Sequence, residues 1–147
     1  MPKVLILLGS SSDLQYADDC RTALDALGIQ SDLEISSAHR QPERTDELAI
    51  SAARNGYEAI ICMAGMAAAL PGVVAARTNL PVIGVPLPAS LSGLDALLAI
   101  AQMPSGVPVA TMSIGKSGAK NAALMAGRIL ALKYPEVGEK LKEFKNK

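Results

Sequence analysis

Apolar residues along the chain follow two alternating patterns. Short aliphatic runs indicate buried strands, and longer segments with apolar residues every three or four positions indicate helices. Their alternation is typical of βαβ units and predicts an α/β domain built on a parallel sheet. The expected strands are residues 3–8, 31–35, 59–63, 81–85 and about 107–113. The expected helices are residues 16–27, 42–54, 70–78, 94–102 and 120–133.

The composition is that of one folded domain. The chain has 147 residues, half of them apolar and only 19% charged, so it can bury a substantial core. Fourteen basic residues balance fourteen acidic ones, and aromatic residues make up 3%. This balance argues against nucleic acid and anionic membrane surfaces as partners, and it favours a small-molecule ligand. We expect a single domain over residues 1–147.

Two features bear on the cell compartment. Residues 59–76 carry no charge, but many are alanines and Gly65 and Pro71 interrupt them, so a strand, a turn and a helix start fit better than a membrane span. The N-terminal apolar run is too short for a signal peptide, which favours the cytoplasm. Cys20 and Cys62 lie in apolar patterns without metal-ligand spacing, and we expect two buried thiols.

The loops after the strands are the expected place for chemistry, because parallel sheets bind ligands at the carboxyl ends of their strands. The first loop, residues 9–13, offers backbone N–H groups, the hydroxyls of Ser10 and Ser12 and a helix N-terminus to a phosphate. The alternative is a capping box formed by Ser12 and Gln15. Asp13 favours the ligand site, since a carboxylate there accepts hydrogen bonds from ribose hydroxyls. This loop indicates a nucleotide-like ligand.

Two further loops carry candidate site residues. His39, the one histidine of the chain, stands beside Arg40 on a polar turn. An imidazole transfers protons near neutral pH, and a guanidinium binds phosphate or carboxylate. A solvated His-Arg pair near a helix start is the alternative. Residues 64–72 are small and let the backbone approach a ligand closely, or they serve packing alone; spacing leaves both questions open.

Residues 110–117 imitate a phosphate-binding P-loop, with alanine in place of its first glycine. The loop interior, residues 111–114, has no glycine that would let the backbone wrap phosphates. Only residues 118–147 follow, too few for the further strand that carries a magnesium-binding aspartate. These features argue against hydrolysis of nucleoside triphosphates.

The segment 120–133 is apolar around most of its circumference, which indicates a buried helix. An outer helix buried on all sides needs a second subunit to cover it, so we expect a homo-oligomer with an apolar interface. The alternative is a helix central to the core of the single chain. We expect the charged tail, residues 136–147, to be a solvated helix end.

Several short motifs in the loops form one set that spans almost the whole chain. They are Gly-Ser-Ser-Ser-Asp at 9–13, Ser-Ser-Ala-His-Arg-Gln-Pro at 36–42, Leu-Pro-Gly at 70–72, and the segments 81–86, 91–95, 102–104, 114–116 and 121–123. The set resembles the family of 5-(carboxyamino)imidazole ribonucleotide mutases and aminoimidazole ribonucleotide carboxylases of purine biosynthesis. The resemblance implies a flavodoxin-like three-layer sandwich with helices on both faces of the sheet, an octamer, and no metal or organic cofactor.

The resemblance also implies a role for each polar candidate. Ser10, Ser12 and Arg40 would hold the phosphate of the ribonucleotide. Asp13 would bind the ribose hydroxyls, and His39 would be the general acid and base. The implied reaction moves a carboxylate from the exocyclic nitrogen of the aminoimidazole to ring carbon 4, through loss and recapture of CO2.

The pocket for CO2 is where this chain departs from the mutase pattern. Gly65, Ala69 and Leu70 would line it and exclude water. The family commonly has a histidine immediately before Leu-Pro-Gly, and Ala69 stands at that position here. The carboxylase branch reads Ala-Leu in the same register. Direct carboxylation of aminoimidazole ribonucleotide by CO2, and a catalytically weak nucleotide-binding relative, are therefore alternatives to a mutase.

Overall fold

Five parallel strands form one sheet in the computed structural model, which describes residues 1–145, and their order is β2-β1-β3-β4-β5. The predicted parallel α/β fold is confirmed. The strands are β1 (Lys3–Leu8), β2 (Gln30–Ile35), β3 (Ala59–Gly65), β4 (Val82–Leu87) and β5 (Ala110–Thr111). The helices are α1 (Leu14–Ala26), α2 (Pro42–Ser51), α3 (Leu70–Ala75), α4 (Leu94–Ala101), α5 (Lys116–Leu130) and α6 (Pro135–Leu141), with short 3-10 helices at Ser11–Asp13 and Lys142–Phe144.

Helices cover both faces of the sheet, as a three-layer sandwich requires. Side chains of a strand point alternately to its two faces. Val4, Ile6 and Leu8 of β1 therefore pack in the core layer that contains α1, α5 and α6. Leu5 and Leu7 pack in the other layer, with α2, α3 and α4. Because both faces of β1, β3 and β4 are buried, these three strands are continuous apolar runs rather than alternating ones.

One face of helix α5 is buried by its own chain, whereas Lys120, Asn121 and Arg128 on the other face are exposed. It packs against α1, α6 and strands β3 and β4, with alanines and glycines at the contacts. A Cβ at Gly127 would lie only 2.7 Å from Leu27 Cδ1, so the close approach of α5 to α1 needs glycine there. The prediction that this helix is buried on all sides is therefore wrong, and so is the need for a second subunit to cover it; α5 is not central to the core either, because it lies in an outer layer. The homo-oligomer itself stays a prediction. The helix begins at Lys116 rather than at 120, with Gly118 and Ala119 buried.

The C-terminal segment is not the solvated helix end that its charges predict. Val137 is buried, and Leu141 and Phe144 pack against the core layer that contains α5. These three residues recur at intervals of three and four, so one face of the segment is apolar while its charged residues occupy the other. Residues 146–147 of the predicted tail lie outside the described part of the chain.

Strand β5 is much shorter than predicted. Only Ala110 and Thr111 pair with β4, opposite Ile83 and Gly84. Pro108 lies inside the predicted strand, and a proline has no N–H to donate to a neighbouring strand. The sheet therefore ends in a minimal edge strand, whose short length also limits pairing with other chains.

Two clusters of a lysine, a carboxylate and a tyrosine lie at the amino-terminal edge of the sheet. In the first, Tyr57 Oη donates to Asp32 Oδ2 at 2.6 Å, and Lys3 Nζ lies 3.1 Å from the same oxygen. These two hydrogen bonds, that of Tyr57 foremost, hold the pKa of Asp32 below its usual value. The second cluster consists of Lys133, Glu58 and Tyr134. Both join elements that are distant in sequence, and both lie far from the carboxyl ends of the strands.

The two cysteines and the uncharged stretch behave as expected. Cys20 and Cys62 are free and buried, and burial raises the pKa of Cys20 to about 12 and that of Cys62 as well. Residues 59–76 contain β3, a short loop and α3. Within residues 1–145, no helix has the length and apolar character needed to span a membrane.

Candidate active site

The largest concentration of polar candidate residues lies around one cavity of about 500 Å³ at the carboxyl ends of the strands. Its walls are the loops that follow β1, β2, β3 and β4. The chain runs from β1 to β2 on one side and then crosses to β3 on the other, so β1 and β3 flank a topological switch point. Loops diverge at such a point and leave a crevice, which is where parallel sheets bind ligands.

The loop after β1 presents two exposed hydroxyls to this cavity. Ser10 caps the 3-10 helix Ser11–Asp13: its Oγ accepts from the backbone N–H of Ser12 at 3.3 Å and lies 3.0 Å from Ser12 Oγ. Ser10 and Ser12 are both exposed. The predicted capping box of Ser12 with Gln15 does not form, because α1 begins after Asp13 and has no side-chain cap. The two hydroxyls therefore stay available to an anion.

Asp13 stands half-buried beside these serines. Burial raises the pKa of its carboxyl, while a backbone hydrogen bond with Ser10 acts in the opposite direction. A carboxylate that loses water without gaining a cation is destabilising for the free protein. A carboxylate in this position can accept hydrogen bonds from the hydroxyl groups of a ligand.

The loop after β2 brings His39 and Arg40 to the same cavity. The buried Ser36 Oγ lies 2.7 Å from Thr45 Oγ1 and ties the loop to α2. Ser37 shapes the turn itself, because its Oγ accepts from the backbone N–H of Arg40 at 3.1 Å. With the backbone held in this way, the side chains of His39 and Arg40 are exposed at the cavity.

The loop after β3 forms the small, apolar side of the cavity. A Cβ at Gly65 would lie 3.2 Å from the carbonyl oxygen of Leu87, so glycine permits the close pairing of β3 and β4 here. Ala68 is buried, Ala69 is half-buried, and Leu70 is only 2% exposed at the start of α3. This loop therefore offers a surface of backbone and methyl groups without a charged side chain.

All eight predicted site residues line this single cavity, although they come from three separate loops. The eight are Ser10, Ser12, Asp13, His39, Arg40, Gly65, Ala69 and Leu70. Ser37, Met66 and Pro88 also line the cavity and are not among the predicted site residues. The motif at 36–42 contains Ser37 and was a signal for it. Met66 lies within the candidate loop 64–72, although no role was predicted for its side chain. Nothing in the spacing pointed to Pro88, because its position depends on how the loops fold.

The described lining of the cavity contains three ionisable side chains, each of a different type. Among the described residues around the cavity, Arg40 is the one permanent cation, Asp13 the one carboxylate and His39 the one imidazole. Such a set can bind an anion, orient hydroxyl groups and transfer a proton. Over residues 1–145, no group of three or more His, Cys, Asp or Glu side chains is arranged to hold a metal ion.

The false P-loop at residues 110–117 is part of the sheet and of α5. Ala110 and Thr111 form β5, and the backbone N–H of Gly115 donates to the carbonyl oxygen of Pro86 at 2.9 Å. Backbone N–H groups used in this way do not cradle phosphates.

Comparison with known proteins agrees with this geometry. The AIR carboxylase family matches residues 3–147. N5-carboxyaminoimidazole ribonucleotide mutase of Saccharolobus solfataricus is 52% identical over 98% of the chain and 90% of the relative. The Escherichia coli K12 protein of that name is 45% identical, over 97% of the chain and 85% of the relative. The crystal structure of Treponema denticola PurE superposes with a TM-score of 0.89 and 32% identity, covering 99% of the chain and 90% of that protein. The chain belongs to the AIR carboxylase family.

Proposed function

We propose that this protein is a mutase that converts 5-(carboxyamino)imidazole ribonucleotide to 4-carboxy-5-aminoimidazole ribonucleotide in purine biosynthesis. The observation that carries the proposal is the meeting of His39, Arg40 and Asp13 at one cavity of the switch point. The relatives that match nearly the whole chain bear the name of this mutase. The reaction rearranges one substrate and needs no redox or metal cofactor.

The polar side of the cavity suits a ribonucleotide. Arg40 and the exposed hydroxyls of Ser10 and Ser12 would bind the phosphate, since a guanidinium and hydroxyl donors both match phosphate oxygens. Asp13 would accept hydrogen bonds from the ribose hydroxyls. These contacts would place the aminoimidazole ring of the substrate beside His39, toward the side of the cavity that is lined by small residues.

His39 would move the protons of the reaction. As the bond between the exocyclic nitrogen and the carboxylate carbon breaks, CO2 leaves and the electron pair returns to nitrogen, which takes a proton from the imidazolium of His39. Ring carbon 4 then attacks CO2 and forms the new carbon–carbon bond. The neutral His39 removes the proton from carbon 4 and restores the aromatic ring, so protons and electrons balance over the cycle.

CO2 would wait between these steps on the side formed by Gly65, Ala69 and Leu70. A pocket of backbone and methyl groups excludes water, and it keeps CO2 close enough to carbon 4 for addition to compete with escape. Ala69 has no polar group with which to hold a carboxylate. For that reason, direct carboxylation of aminoimidazole ribonucleotide by CO2 is the second candidate, and a weakly active nucleotide-binding relative is the third.

We also propose that the protein acts in the cytoplasm as a homo-oligomer, with an octamer as the expected form. Support comes from α4 rather than α5: Leu94 and Leu98 are 56% and 47% exposed, and Leu91 just before the helix is 65% exposed. A neighbouring copy would cover these three leucines.

Turnover with two substrates tests the function. The protein is expected to form the carbon-carboxylated product faster from 5-(carboxyamino)imidazole ribonucleotide than from aminoimidazole ribonucleotide with bicarbonate, measured by ultraviolet absorbance. Product from the second mixture alone would establish the direct carboxylase instead. Product from neither would contradict both enzymatic proposals.

Replacing the histidine should separate binding from chemistry. His39→Asn is expected to bind the nucleotide with little change in Kd but to lose about 100-fold or more in kcat, because His39 is the one imidazole of the described lining and an asparagine side chain does not transfer protons near neutral pH. Calorimetric titration with the nucleotide and steady-state rates on the same preparation give the two quantities. An active variant would contradict the role assigned to His39.

Asp13→Asn should raise the free energy of unfolding of the free protein and lower its affinity for the nucleotide. Burial raises the pKa of Asp13 in the folded state, so its ionisation opposes folding near pH 7, and that penalty disappears below the ordinary pKa of an aspartate. Urea unfolding should show a gain at pH 7 that is absent in acid. Nucleotide affinity should fall by about tenfold or more, since hydrogen bonds to a charged group are lost.

Asp18→Asn is the matched control for this prediction. Asp18 is exposed on α1, within the described chain but away from the cavity lining. It should change neither the stability difference between the two pH values nor the affinity. Loss of stability in Asp13→Asn at pH 7 would contradict the expected effect of burial.

Charge on the exposed face of α4 should disrupt assembly. Leu98→Asp is expected to lower the mass seen by sedimentation velocity, because a carboxylate in an apolar interface loses its hydration. Leu132→Asp is the control, since Leu132 is 91% exposed at the end of α5 and lies outside the proposed interface. An unchanged mass for Leu98→Asp, or an equal loss in both variants, would contradict the assignment of the interface to α4.

A further inference from the structure

We propose that Met66 covers the CO2 side of the cavity and keeps the released CO2 from escaping before it is recaptured. This inference rests on the proposed function, and it assigns a retention role to a residue that the motifs of the family resemblance did not include. Met66 lies directly after β3, between Gly65 and the alanines of the small, apolar loop, and it lines the cavity.

The backbone of Met66 is held in a conformation that disfavours its side chain. Its φ is +56°, in the left-handed region that glycine adopts far more readily than a residue with a Cβ. The backbone N–H of Ala68 donates to the carbonyl oxygen of Gly65 at 3.1 Å and closes the turn around Met66 and Ala67. A glycine would adopt this turn without strain. We therefore infer that the methionine side chain has a role that offsets the cost of its backbone conformation.

The exposure of the Met66 side chain fits a covering role. Met66 is 61% exposed, whereas Leu70 and Leu87, the other large aliphatic residues of the described lining, are 2% and 1% exposed. Buried Ala68 and half-buried Gly65 lie deeper in the same loop. The loop therefore has small residues inside and one long apolar side chain at the solvent.

Methionine is suited to closing over a ligand. It is unbranched, has three rotatable bonds, and its sulfur packs favourably against aromatic rings such as imidazole. When the substrate is bound, the Met66 side chain can lie against its aminoimidazole ring. This contact would bury apolar surface that is exposed to solvent in the free protein.

Enclosure matters more in this chain because its pocket has little else with which to hold CO2. CO2 is small and uncharged, and the loop that would receive it offers backbone, methyl groups and the side chain of Leu70. The position where the family commonly has a histidine is Ala69. Retention would therefore depend on keeping water out and CO2 in, which is what a movable apolar side chain at the entrance supplies.

Isotope retention tests this role. The substrate is 5-(carboxyamino)imidazole ribonucleotide labelled with carbon-13 in its carboxylate, in buffer that contains unlabelled bicarbonate, and the label in the product is read by mass spectrometry. In Met66→Gly, escaped CO2 mixes with the unlabelled pool, so the unlabelled fraction of the product should rise several-fold over the parent. Met66→Leu keeps an apolar cover and should stay near the parental value.

Ser92→Gly is the matched control. Ser92 also has a positive φ, +57°, but it does not line the cavity, so glycine relieves the same kind of strain there without opening the pocket. Its retention of label should equal that of the parent. Equal loss of label in Ser92→Gly and Met66→Gly would contradict the inference, because a general change in rigidity would then explain both.

The outcomes separate this inference from the proposed function. Normal turnover by the parent, with unchanged label retention in Met66→Gly, overturns the role of Met66 and leaves the mutase assignment intact. A parent that forms product only from aminoimidazole ribonucleotide and bicarbonate, or from neither mixture, contradicts the mutase and this inference together. A several-fold loss of label confined to Met66→Gly supports the inference.

Discussion

Parallel hydrogen bonding of β1 to β2 on one side and to β3 on the other determines where the functional loops lie. Since all strands run the same way, their carboxyl ends share one edge, and the loops after β1 and β3 separate above it. The hydroxyls of Ser10 and Ser12 and the pair His39 and Arg40 are far apart in sequence but meet across this crevice. Neither loop would form a site without the strand that carries it.

Close packing on both faces makes this arrangement rigid. Small residues let elements approach, as where α5 lies against α1 at Gly127 and β4 carries Gly84 beneath Ile100. An interior filled in this way has little freedom to shift, so the loops are anchored at fixed positions. The buried hydroxyl pair of Ser36 and Thr45 extends the same rigidity into the loop that presents His39.

The carboxylates at the two edges of the sheet differ in whether they have cationic and hydroxyl partners. At the amino-terminal edge, carboxylates such as Asp32 have tyrosine and lysine partners, and its pKa is lowered accordingly. At the carboxyl-terminal edge, Asp13 is half-buried without a cation, and its pKa is raised by burial. The first arrangement stabilises the fold, while the second leaves a group whose hydrogen bonds a ligand can complete.

Patterns local in sequence determined most of the strand and helix positions, because burial of a strand or of one helix face leaves a periodic trace in the residues themselves. Local pattern failed where tertiary contacts decide: Val137 packs one face of a charged tail against the core, and α5 is buried on one face only. The motifs pointed to polar residues that line one cavity, but only the tertiary structure joined their loops and placed Ser37 and Met66 in the wall of that cavity. The sequence shows which residues prefer burial or a turn. Which distant loops meet depends on strand order and backbone geometry, and both arise only when the whole chain packs.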